Sequence, residues 1–159
     1  MTRINSGITI VICGLLIACS AIHPQKAGRE PDGMLITPQQ LKNIVGQEWH
    51  LIEMTRDNDP VALVENSKMT FSCSGEGQVT GVATINRYFG NLKLTEDGEI
   101  VWNKAFGMTR MAGPPELMQQ EAAYMGALIK TSRMYLKEAK LVLRNKDRSY
   151  LLEFGKINK

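Results

Sequence analysis

The chain has 159 residues, 43% of them hydrophobic, which suits one domain around one core and is too short for several. Its 19 Lys and Arg against 16 Asp and Glu leave a formal charge of only +3, too small to imply nucleic acid as a partner. Three cysteines and two histidines, His23 and His50, show no metal-ligand spacing, so no metal or cofactor is implied.

At the N-terminus Arg3 precedes an uncharged apolar run from Ile8 to Ala18. This is the layout of a secretory signal, and the run is shorter than the roughly 20 apolar residues of a membrane-spanning helix. It closes on Leu16-Ile17-Ala18-Cys19, which resembles the lipobox of bacterial lipoproteins. The resemblance implies cleavage before Cys19, lipidation of its sulfur and an address in the bacterial cell envelope. Ser20 in place of Asp after the cysteine favours the outer membrane, facing the periplasm, by likeness to Gram-negative lipoproteins. Cys13 is the weaker candidate, because it follows the bulky Ile12 in mid-run. On this reading 1–18 is a signal peptide, 19–36 a lipidated flexible tether reaching roughly 20–25 Å, and 37–159 the folded domain. Cys73 is then the remaining thiol, so no internal disulfide is expected. Its alternation with Met69 and Phe71 points it inward as a small core residue.

The run Thr37-Pro38-Gln39-Gln40 reads as a helix start with a hydroxyl N-cap, Pro at N1 and Gln at N3, followed by Leu41, Ile44 and Val45 as a small apolar face and Gly46 as its end. Strand-like segments follow at 47–55, at 61–64 after the Asp57-Asn58-Asp59-Pro60 turn, at 68–74, 78–85, 89–95 and 99–103. The last two flank Asp97-Gly98, a strong hairpin signal. Pro114-Pro115-Glu116 opens one long helix expected to reach about residue 133. Met118, Ala122, Met125 and Ile129 form its apolar stripe, widened by Leu117, Tyr124 and Leu128. Closing strands are expected at 134–136, 140–144 and 149–154. About eight short antiparallel strands and one late helix predict an α+β, mainly β domain: a closed or nearly closed barrel-like sheet with the helix packed against it.

Two stretches carry a resemblance, Gly81-Val82-Ala83-Thr84-Ile85-Asn86-Arg87-Tyr88-Phe89-Gly90 and Gly107-Met108-Thr109-Arg110-Met111-Ala112-Gly113. As an ordered pair they resemble the signatures of the META-domain family, which includes the HslJ-like heat-shock lipoproteins of enteric bacteria. The Thr37-Pro38-Gln39-Gln40-Leu41 opening is similar to that subgroup as well. The family commonly carries a cysteine directly before the Asn of the first stretch and another just after the Met-Thr-Arg-Met of the second. Here those places hold Ile85 and Gly113, and loss of both together is what closeness in space would produce. A redox role attributed to that pair does not carry over.

For the motif residues a structural answer comes first: glycines for turns or close strand approach, Asn86 bonding backbone at a strand end, Arg87 and Arg110 satisfying carbonyls or a carboxylate. If a binding site exists, Asn86, Arg87, Tyr88, Thr109 and Arg110 are the candidates, because polar donors beside an aromatic suit an anionic or peptide ligand. From Lys130 onward nine basic residues face three acids. The bland reading is a solvated strand face, and the functional one is a patch for anionic headgroups or an acidic partner. The resemblance implies a non-enzymatic, lipid-anchored envelope protein that binds or stabilises envelope components under stress, held to the membrane by its lipid. A secretion-accessory lipoprotein of pilotin type is a variant of that reading. A carrier of a small apolar ligand inside a barrel is the alternative. Ser132 and Ser149 have no nucleophile context, so no catalytic residue is assigned.

Overall fold

A computed structural model describes residues 33–103 and 106–156. The expected signal peptide, Cys19 and nearly all of the expected tether lie outside these residues. The end of that tether does not: Met34–Leu35 is β1, paired with a later strand, and Ile36 is fully buried.

A 3-10 turn at Leu41–Asn43 stands where the first helix was expected. The Thr37 hydroxyl donates to Gln39 Oε1 at 2.9 Å instead of capping, so the capping box does not form. Gly46, at φ +73°, ends the turn as anticipated. The chain then enters β2 (Trp49–Arg56), whose inward parity changes partway. Glu153 faces Glu53 and Phe154 faces Leu51, leaving Ile52 as the extra residue of a bulge. Trp49 points inward before the bulge and Met54 after it, both fully buried.

Asp57 and Asn58 both have positive φ, so they form a two-residue hairpin turn and return the chain at once into β3 (Asp59–Pro60). The strand expected at 61–64 is therefore absent; those residues are irregular and follow the hairpin back toward the helix. The following strands are β4 (Thr70–Cys73), β5 (Gln78–Val82), β6 (Arg87–Leu94), β7 (Ile100–Trp102) and the unanticipated β8 (Gly107–Met108). Met69, Phe71 and Cys73 are all buried, as their alternation required.

Helix α1 (Pro115–Leu128) starts at the expected prolines, with Glu116 in the first turn, but stops short of residue 133. Thr131 Oγ1 donates to Leu128 O at 2.7 Å, and Ser132 N then donates to Arg144 O, drawing the chain into a strand. The buried helix face keeps Tyr124 and Leu128 of the expected stripe but otherwise differs from it. It comprises Gln120, Glu121, Tyr124, Ala127 and Leu128, whereas Ala122 is exposed and Ile129 is 51% exposed. Two polar residues displace the apolar stripe because they satisfy buried backbone: Gln120 Oε1 accepts from Val64 N and its amide donates to Ser67 Oγ.

Strands β9 (Arg133–Lys137), β10 (Lys140–Arg144) and β11 (Tyr150–Lys156) complete an antiparallel sheet in the order β1-β9-β10-β11-β2-β4-β5-β6-β7, with β3 on β2 and β8 on β6. The sheet is not a closed barrel. The free edge of β9 is shared: β1 takes Tyr135 and Leu136, while Glu99 bridges Arg133 and Ile100 N donates to Ser132 O. Residues 34–35 thus occupy the edge on which β7 would have to zip to seal the ladder.

The interior is filled by Trp49, Phe71, Tyr88, Tyr124, Phe154 and the aliphatic side chains around them. Phe71 meets Phe154 in a tilted contact and Tyr124 meets it edge-on, at centroid distances of 5.8 and 6.4 Å. Burying each such ring contributes roughly 2–3 kcal/mol relative to exposure. Among the described residues no helix is long and apolar enough to cross a membrane.

Candidate functional site

The two signature stretches meet at the turn between β5 and β6. Asn86 lies at their junction, 2% exposed, with every polar atom of its side chain engaged. Its amide donates to Glu121 Oε1 (2.9 Å) and Met111 O (3.2 Å), and its Oδ1 accepts from Thr109 Oγ1 and Met111 N, both at 2.8 Å. Its backbone N–H donates to Glu121 Oε2 at 2.8 Å. One amide therefore ties strand, loop and helix together, and a buried carboxylate receives two donors in place of a cation.

Thr109 serves the same junction: its hydroxyl donates to Asn86 and accepts from Arg87 N at 3.0 Å. Tyr88 is directed into the core, where its hydroxyl reaches Thr70 O (2.8 Å) and the Tyr124 hydroxyl (2.9 Å). Burial pushes both phenols above their ordinary range, so they remain protonated donors. The tyrosine crosses Gly81, where a Cβ would stand 2.0 Å from Thr70 O and 2.6 Å from Tyr88 Cε1. Phe106 covers Gly90 and Phe89 covers Gly107 in the same manner. The signature is thus a packing device in which bare backbone admits a ring.

Of the five candidate binding residues, Asn86, Tyr88 and Thr109 are committed to this scaffold. Arg87 and Arg110 are exposed and make no ion pair with any described residue. Sequence reasoning missed Glu121 and Tyr124 as partners of the motif. The available signal was an acid standing one helical turn before a core tyrosine.

It also missed Phe89, which is 59% exposed on the outer face of β6. Along that strand Arg87, Phe89, Asn91 and Lys93 alternate outward, with Val82, Thr80 and Gln78 opposite the first three on β5. Beside the ring is an open cleft of about 350 Å³, bordered by Ser72, Thr80, Val82, Arg87 and Phe89, with Glu48 at its far end. Glu48 is held by Lys68 at 3.3 Å and His50 at 2.9 Å, which lower its carboxyl against the opposing effect of desolvation.

Cys73 borders a neighbouring cleft, but burial pushes its thiol up to about 11, which keeps it protonated and unreactive at neutral pH. Several of the C-terminal cations have partners: Arg133 with Asp97, Lys140 with Glu153 and Lys146 with Glu99. Among the described residues no cluster of three or more His, Cys, Asp and Glu is placed to hold a metal.

An open antiparallel sheet with one helix latched onto it through a buried Asn–Glu pair defines a small β-rich scaffold domain with a solvent-facing sheet surface. Residues 40–156 match the META domain, and the chain belongs to that family. Its fold is similar to a Burkholderia xenovorans protein solved by NMR, at 23% identity over 86% of this chain and 98% of that one, with a TM-score of 0.64. It is also similar to a DUF4847 family protein from Bacteroides vulgatus, at 11% identity over 74% and 97% of the two chains, with a TM-score of 0.54. These likenesses concern the fold. No curated protein matches the chain.

Proposed function

We propose that this protein is a lipid-anchored, non-enzymatic binding domain of the bacterial envelope, close in role to the HslJ-like heat-shock lipoproteins, which recognises envelope components through the outer face of β6. The observation that carries the reading is the division of labour within the signature. Its buried polar residues are consumed by the latch, while Arg87, one position from Asn86, borders a cleft and makes no ion pair with a described residue. The lipobox-like Leu16-Ile17-Ala18-Cys19 supports the anchor, with the outer membrane as the address and stress conditions as the setting. The interior filled by Phe71, Tyr88, Tyr124 and Phe154 favours this reading over a carrier of a small apolar ligand, which needs a cavity there. A pilotin-type accessory role would use the same anchor and a protein partner.

Two measurements test the proposal. Cys19→Ser should move the protein from the membrane to the soluble fraction, and a variant that stays membrane-bound would overturn the anchor. Photo-cross-linkers at Arg87 and Arg110 should capture envelope material in intact cells. Recovery no greater than from Lys42, which is exposed away from the cleft, would overturn the binding face.

A further inference from the structure

We infer that the outer face of β6 is a stacking platform for an acidic glycan, with a sugar ring on Phe89 and its carboxylate on Arg87. This deepens the binding role proposed above and rests on it for the location of the site. The first observation is how the ring is held. A Cβ on Gly107 would lie 2.0 Å from Phe89 Cζ, 2.2 Å from one Cε and 2.7 Å from the other. An atom in the ring plane beyond Cζ would be farther from both Cε atoms, so these distances place Gly107 under the face of the ring. One face is thus seated on backbone and the other is turned to solvent, in a side chain 59% exposed. A flat, immobilised aromatic face with partial negative charge suits the polarised C–H bonds of a pyranose and loses little side-chain entropy on binding.

The second observation is what surrounds the ring. Arg87 precedes it and Asn91 and Lys93 follow it on the same face, with Thr80 and Gln78 across the ladder. Neither Arg87 nor Lys93 makes an ion pair with a described residue, while Glu48 across the cleft is already paired with Lys68. The strip therefore has unspent positive charge beside neutral hydroxyls and amides, the complement of a carboxylated polyol. A peptide is less well served. At Phe89, β6 is paired with β5 on one side and β8 on the other, so no backbone edge is open there for strand addition. Single-stranded nucleic acid would also stack on the ring, and it is therefore one arm of the test.

The full chain, purified in detergent and isotope-labelled, is titrated with galacturonate oligomers. Parallel titrations use their methyl esters, a polyglutamate peptide and single-stranded DNA. Galacturonate should shift the resonances of Arg87 and Phe89, with the methyl ester binding about tenfold more weakly. Phe89→Leu keeps Gly107 covered but removes the aromatic face, and Arg87→Gln removes the charge; each should weaken binding about tenfold. Absence of galacturonate binding, equal or tighter binding of polyglutamate or DNA, or indifference to Phe89→Leu would overturn the inference. Such a failure leaves the membrane fractionation and the cross-links of the broader proposal standing, so the two are told apart.

Discussion

A Cβ on Gly113 would stand 2.8 Å from both Cδ1 and Cγ1 of Ile85, so the isoleucine fills the space that a side chain at position 113 would need. These are the two places where the resembled pattern carries cysteines. The Ile85 Cβ is one bond from Cγ1, which puts the two Cβ positions within the roughly 3.5–4.5 Å a disulfide spans. A contact between isoleucine and bare backbone thus occupies the site of a crosslink.

Ile85→Cys combined with Gly113→Cys should therefore form a disulfide on mild oxidation. Closing a loop of this length stabilises by about 3.6 kcal/mol in the chain-entropy description. The check is thermal unfolding of the double variant with and without reductant. A Tm that does not depend on reductant would mean that the two positions are not paired as described.

The junction at Asn86 should be among the least replaceable positions in the domain. Asn86→Ala removes two donated and two accepted side-chain hydrogen bonds and costs the Glu121 carboxylate one of its donors, a loss of about 3 kcal/mol in urea unfolding. Asn86→Asp sets a second carboxylate against Glu121. That variant should be unstable at neutral pH and recover partly on acidification, because protonating the pair removes the repulsion.

Two glycines should respond with opposite sign to the same substitution. Gly81→Ala drives a methyl into Thr70 O and the Tyr88 ring and should cost about 2–3 kcal/mol, lowering Tm by roughly 10 °C. Gly126 lies within α1 with open space around its Cβ direction, so Gly126→Ala should stabilise by up to about 1 kcal/mol. Differential scanning calorimetry of the two variants decides the matter.

A clasp at the β2–β3 turn should make part of the stability pH-dependent. The Tyr150 hydroxyl donates to Asp57, holding its carboxyl below the ordinary 3.8, and Lys130 Nζ sits 4.3 Å over the Tyr150 ring. A depressed folded-state pKa gives stability that is present above the unfolded value and lost as pH falls through the folded one. The gap in denaturation midpoint between wild type and Tyr150→Phe should therefore be widest near neutral pH and narrow below about pH 4. The effect is small, because Asp57 is well exposed.

The sequence by itself determined what local chemistry controls. Alternation buried Met69, Phe71 and Cys73, Asp97-Gly98 made the hairpin between β6 and β7, and the prolines at 114 and 115 placed the start of α1. Each of these rests on a periodicity or a turn conformation that neighbouring residues impose. The tertiary structure alone decided the rest, because each remaining feature depends on a partner far along the chain. Residues 33–36 read as tether until β9 offered an edge, and that pairing in turn kept the sheet open. The Met118–Ile129 stripe looked like core, but burying Gln120 and Glu121 gave partners to the Val64 backbone, the Ser67 hydroxyl and the backbone and amide of Asn86. Phe89 alternates outward along β6, and the bare backbone of Gly107, brought alongside by β8, supplies the surface on which its ring is seated. Hydrophobicity ranks what a side chain prefers, whereas the demand that every buried polar group find a partner is settled only when distant segments meet.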